Sequence, residues 1–122
     1  VAASEFAVCL PVLILLVLGT IESCTMIFLK QSLTVGAYEG IRTALEDGAT
    51  VSDIESTCQA VFRDRRVQGG SVTVAPANFG VLGPGDYISV TVSAPTDPNS
   101  VIPGSFFRGR TFNSTATMMK EF

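Results

Sequence analysis

From Phe6 to Ile21 the chain carries no charged side chain, and only Glu22 interrupts the apolar run before Lys30. The stretch Phe6–Leu29 is long enough to cross a hydrocarbon layer of about 30 Å as a helix. Helix is the only open-chain conformation that satisfies its own backbone hydrogen bonds in lipid. Of nineteen charged side chains, only Glu5 and Glu22 precede Lys30. The rest of the chain has the composition of an ordinary soluble domain. An unpaired carboxylate in lipid costs roughly 2.5–3.5 kcal/mol on insertion scales, so Glu5 calls for a partner. The sequence opens Val1-Ala-Ala-Ser-Glu5 without an initiator methionine, so an α-amine one helical turn away is the natural candidate, its own or a neighbour's. Two placements are open for Glu22. It can lie inside a helical bundle, satisfied by Thr20, Ser23, Thr25 or a neighbour's donor, or it can lie at the membrane interface.

Between Ala2 and about Glu46 the only strong helix breaker is Pro11, which removes a backbone donor and crowds the carbonyl of Ala7. A kink or local melting is expected there. Past Lys30 the pattern becomes amphipathic, with Leu33, Ala37, Ile41, Ala44 and Leu45 at helical spacing. An unbroken helix to Glu46 would be on the order of 70 Å long. Gly36 and Gly40 form a small-xxx-small notch that permits close backbone approach, or are two helix glycines with no packing role. Asp47-Gly48 then ends the helix. Ser52 with Glu55 reads as a capping box. It opens a second helix that runs to about Arg66, with Val51, Ile54, Cys58, Val61 and Phe62 on one face, folded back on the first.

After Gly69-Gly70 the period falls to two. Residues 71–77, 86–94 and 111–119 alternate apolar with polar or small side chains, and predict one antiparallel sheet. Val72, Val74, Ile88, Val90 and Val92 should face the helices, with Phe112, Ala116 and Met118 on one side of the third strand. The Pro95–Arg110 loop should stand outside that sheet. The fold class is therefore α+β, in two parts. Residues 1–46 form a membrane-length helix continued as an amphipathic stalk, and residues 47–122 a small ectodomain packed on it. Such a domain buries only about 60–65% of its unfolded surface and gains from a helix or a neighbour.

Cys9 and Cys24 are about 22 Å apart along one helix, too far to bridge. Both are expected to be reduced and buried, and Cys58 to lie beside Tyr38 and Ile41. Neither metal nor cofactor chemistry is indicated, for the chain has no histidine and no close cysteine pair. The net charge of −3 and the lack of a basic stripe argue against nucleic acid, since Asp64 interrupts Arg63, Arg65 and Arg66. An enzyme is not indicated either: there is no Gly-x-Ser-x-Gly, and Gly80–Gly85 leads into a strand where a phosphate loop would open a helix. Asp97 and Asn99 fit a turn better than a cation site.

Three segments carry a family resemblance: Glu5-Phe6-Ala7, Leu10-Pro-Val-Leu13 and Leu18-Gly-Thr-Ile-Glu22. With Val35-Gly-Ala-Tyr-Glu-Gly-Ile-Arg-Thr-Ala44, their order and spacing resemble TadE-like pilins of the tight-adherence (Tad) system. The resemblance covers about residues 4–45. It implies a pilin-like fold, cleavage before Val1 by a prepilin peptidase, and residence in the bacterial inner membrane. Extrusion by the pilus assembly machinery into an extracellular filament would follow, built of this subunit alone or with other pilins. In that reading Val1 and Glu5 form the assembly salt bridge. The alternative is a bitopic anchor that displays the small β domain as an adhesion module. Phe106 and Phe107 would then be its contact surface, unless they cap the sheet's own core.

Overall fold

The computed structural model describes residues 1–78, 81–102 and 107–121. It is an α+β fold built on one long helix, α1 (Ala2–Ala44, 43 residues). At 1.5 Å per residue α1 is about 65 Å long. It is helical through Pro11. A turn carries the chain over Gly48, whose φ of 77° lies in the left-handed region. Helix α2 (Val51–Asp64) then runs back along α1.

The start of α2 corrects the sequence reading. Its cap is Thr50 with Asp53, not Ser52 with Glu55: the Asp53 carboxylate accepts from the Thr50 N–H at 2.8 Å, and Thr50 Oγ1 accepts from the Asp53 N–H at 3.3 Å. The Thr50 hydroxyl also donates to that carboxylate at 2.7 Å, and this bond first, with the backbone N–H second, holds the Asp53 carboxyl below the usual carboxylate range. Both pairs have the right spacing, and packing selects between them. With Thr50 as cap, Ala49 and Ile54 fall where a hydrophobic staple forms, and both reach the core.

The sheet has the order β1-β2-β3, all antiparallel: β1 (Ser71–Ala75), β2 (Tyr87–Pro95) and β3 (Thr111–Met119). The first strand stops earlier than expected, at Ala75, because Pro76 has no N–H to give the ladder. Register pairs Val74 with Val90 and Val90 with Ala116, so one face is apolar across all three strands. Ile88, Val90, Val92 and Ala94 are buried by the helices, and Val72, Val74, Phe112 and Ala116 pack at the core's margin. Met118, expected on this side, stands 43% exposed, because Ile88, its partner, lies at the end of the covered stretch. The opposite face is a hydroxyl surface. Ser71 and Ser93, Thr91 and Thr115, and Ser89 and Thr117 are hydrogen-bonded across strands at 2.7–2.9 Å.

The glycines of α1 set how closely α2 approaches. A Cβ built on Gly36 would lie 3.2 Å from Phe62, and one on Gly40 would lie 2.7 Å from Cys58 Sγ. The Cys58 thiol donates to the Gly36 carbonyl at 3.3 Å. Cys58 therefore sits over the glycine notch, not beside Tyr38, which is 59% exposed on another face of the helix. Burial, with the Glu55 charge as a lesser cause, pushes the Cys58 thiol up to about 11. All three cysteines are free.

Candidate functional site

Along α1 the pattern of cover changes once. Among residues 1–21 none is buried, and Phe6, Val8, Val12, Leu15, Leu16 and Val17 are each more than half exposed. From Glu22 upward the domain covers one stripe: Glu22, Met26, Leu29, Leu33, Ala37, Ile41 and Ala44 recur at the helical period and are all buried. The lower part, Ala2–Ile21, is about 30 Å long, the thickness of a hydrocarbon layer, and only Leu18 and Gly19, near Phe107, are partly covered. The expected span of Phe6–Leu29 overlaps the covered stretch at Met26 and Leu29, which belong to the domain's own core. The helix is long and apolar enough to cross a membrane, with a mean hydropathy of 2.3 over its most apolar window.

Glu5 and Val1 both lie in the bare segment and are exposed, Val1 at 98%. The bond between them is a backbone one, Glu5 N–H to the Val1 carbonyl at 3.1 Å. Cys9 and Cys24 are exposed too, which corrects the expectation of buried thiols.

Glu22 is fully buried within the chain's own fold, beneath the loop that follows β2. Ser100 Oγ donates to its Oε1 at 2.6 Å, while Oε2 has no hydrogen-bond partner among the described residues. Two of the three hydroxyls proposed for it from the sequence are turned elsewhere: Thr20 donates to the Leu16 carbonyl and Thr25 to the Ile21 carbonyl. Ser100 is 78 residues away, so no local pattern could have named it.

Three side chains hold Ser100 in place. Thr96, fully buried, donates to the Phe107 carbonyl at 2.5 Å and accepts from the Arg110 N–H at 3.2 Å, which closes the loop on itself. Asn99 accepts from the Gln68 N–H and donates to the Gln68 carbonyl, both at 2.7 Å, tying the loop to the end of α2. Asp97 accepts from the Gly109 N–H at 2.9 Å. Asp97 and Asn99 thus spend their polar atoms on the loop itself. A short 3-10 helix (Asp97–Asn99) lies between.

Phe107 is half-buried and packs at the core's margin. It lines two grooves along α1, one with Val12, Leu16 and Gly19, the other with Met26, Ile27 and Phe112. Phe106 lies outside the described residues. Lys30 bonds to the Asn113 carbonyl, and Thr34 to Ser114 at 3.2 Å, fixing β3 against α1.

The plan of the described chain is thus a membrane-length helix that becomes, above Ile21, the spine of a small α+β domain. The first 42 residues match the TadE-like protein family. That TadE-like segment takes in Glu5, Pro11, Glu22 and the glycine notch, and ends just before the turn into α2. Comparisons with curated proteins and with solved structures find no match. Among the described residues there is no cluster of His, Cys, Asp and Glu that could hold a metal ion.

Proposed function

We propose that this chain is a structural subunit of a Tad-type pilus, held first in the inner membrane by α1 and then packed through that helix into a filament. The observation that carries the reading is the bare lower half of α1. A helix exposing this much apolar surface is covered by lipid or by copies of itself, and the TadE-like match ties it to the pilus system. The covered upper half makes the stalk and domain one body, so the helix can transfer from lipid to bundle without refolding the domain.

In this reading cleavage ahead of Val1 frees an α-amine that serves as a cationic partner. The exposed Glu5 carboxylate is its partner, on a neighbouring subunit. Pairing across subunits sets the axial register, since leaving one charge of a buried pair uncompensated costs about 3–5 kcal/mol. Prepilin peptidase, assembly machinery and further pilin copies are the partners the reading requires.

Glu5→Ala in the native host tests it. Expected is a chain that inserts in the membrane at the normal level but is missing from filaments sheared off the cells. Normal incorporation of the variant would refute the role of Glu5. The competing reading, a bitopic adhesion module, requires that the unaltered chain stay in the membrane while adhesion is intact.

A further inference from the structure

The charges of the domain are sorted by height. Lys30, Arg65, Arg66, Arg108 and Arg110 lie on the segments nearest the bare part of α1, as the groove and contact residues show. They are five of the eight basic residues of a chain whose net charge is −3. The acids Glu39, Glu46, Asp47, Asp53 and Glu55 lie on upper α1, the turn and the start of α2, at the far end of the helical hairpin. At the lower end the acids are Asp64 and Asp97, with Glu22 sealed inside.

The foot is shaped as well as charged. Arg65 lies over the ring of Phe28, with its guanidinium carbon 5.7 Å from the ring centre. Both line a groove of about 340 Å³ with Thr25, Arg66 and Val67. Helix α2 ends there in a Schellman motif: the Val67 N–H bonds to the Phe62 carbonyl at 2.8 Å and the Arg66 N–H to the Arg63 carbonyl at 3.3 Å. The residue in the left-handed position of that motif is normally glycine, yet here it is Arg66, with φ of 57°. Backbone preference does not explain an arginine at this position.

Height identifies what the foot meets. Thr25, which lines the same groove as Arg65 and Arg66, is four residues above Ile21, where the bare segment ends, or about 6 Å along the axis. The polar layer of a bilayer extends about 5–8 Å beyond its hydrocarbon. The arginines on this foot therefore reach headgroup depth when the bare segment spans the membrane.

We propose that the foot of the domain, centred on Arg65, Arg66 and Phe28, is a docking surface for the headgroups of anionic phospholipids. It would hold the domain upright on the membrane before assembly. This rests on the reading that α1 spans a bilayer. Attraction of basic side chains to an anionic membrane surface is worth about fivefold in binding per residue, and falls with salt.

The test uses the full chain, which has no tryptophan of its own, reconstituted in phosphatidylcholine vesicles with phosphatidylglycerol. Two reporters are introduced separately, Phe28→Trp at the foot and Leu15→Trp in the bare segment, and bromine-labelled forms of each lipid are used as contact quenchers. Expected is a severalfold preference for phosphatidylglycerol at position 28, abolished by high salt, and equal quenching by both lipids at position 15. Adding Arg66→Gly should cut that preference about fivefold while leaving the melting temperature unchanged or raised, since glycine suits the position. That combination separates lipid contact from a structural role. Equal quenching at position 28, or a preference that Arg66→Gly and Arg65→Gln leave intact, would overturn the proposal. A position 15 that neither lipid quenches would overturn it through the spanning reading. Salt-sensitive self-association lost in Arg66→Gly, without lipid preference, would assign the foot to the acidic upper end of a second copy instead.

Discussion

Gly40→Ala is the sharpest probe of how the domain is joined to its helix. In an exposed helix this change stabilises by about 0.8–1 kcal/mol, through propensity alone. Here the added Cβ would lie 2.7 Å from Cys58 Sγ and 3.0 Å from Val90 Cγ1, closer than such contacts normally come. The sulfur has little freedom to yield, because its thiol is bonded to the Gly36 carbonyl and the site is fully buried. Overpacking of this kind costs about 1–3 kcal/mol. The overlap involves two elements at once, so the upper part of that range applies, and the net expectation is a loss of about 1–2 kcal/mol after the propensity gain. For a domain of this size that lowers the melting temperature by about 4–12 °C. The assay is thermal unfolding of the full chain in detergent, followed by circular dichroism. Labelling of Cys58 in a Cys9→Ser, Cys24→Ser background reports opening of the α1–α2 contact. Adding Cys58→Ala removes the nearer of the two contacts, so Gly40→Ala should cost about 1 kcal/mol less in that background, a coupling of the size expected for touching residues. A Gly40→Ala chain as stable as the parent, or more so, would refute the packing argument.

Two further outcomes follow from the buried polar groups. Glu22→Met should leave the melting temperature unchanged or raise it. Oε2, buried and with no partner among the described residues, costs about 1–3 kcal/mol, and the Ser100 hydroxyl can turn to the Ile102 carbonyl, 3.0 Å away. Glu22→Ala should lower it by leaving a cavity, and a large loss in Glu22→Met would show that the carboxylate is better satisfied than the structure indicates. The second outcome concerns pH. Because the folded Cys58 thiol is raised to about 11, above a reference of about 8.5, its contribution is fully present below the unfolded value. It is lost as pH climbs through the folded one. Stability should therefore fall between about pH 8.5 and 11, and Cys58→Ala should flatten that fall; an unchanged slope in denaturant midpoint against pH would contradict it.

What could be read from the sequence was what repeats locally. The uncharged run fixes a membrane-length helix, the heptad-like return of Leu33, Ala37, Ile41 and Ala44 fixes its upper face, and the alternation around Ile88, Val90 and Val92 fixes the central strand. Features set by distant contacts were out of reach. Ser100 meets Glu22 only because Thr96 and Asn99 fold the loop back beneath the domain. The choice of Thr50 over Ser52 as cap depended on which register sends Ala49 and Ile54 to the core. The lower limit of the domain on α1 depended on that same loop.

A pilus subunit leaves the membrane as part of a filament. Filaments sheared from the native host, purified and identified by peptide mass spectrometry, test that directly. Expected are ectodomain peptides from α2 and the three strands in the filament fraction, with immunogold label for the domain along the filaments. Filaments that form normally while this chain is recovered only with membranes would contradict it.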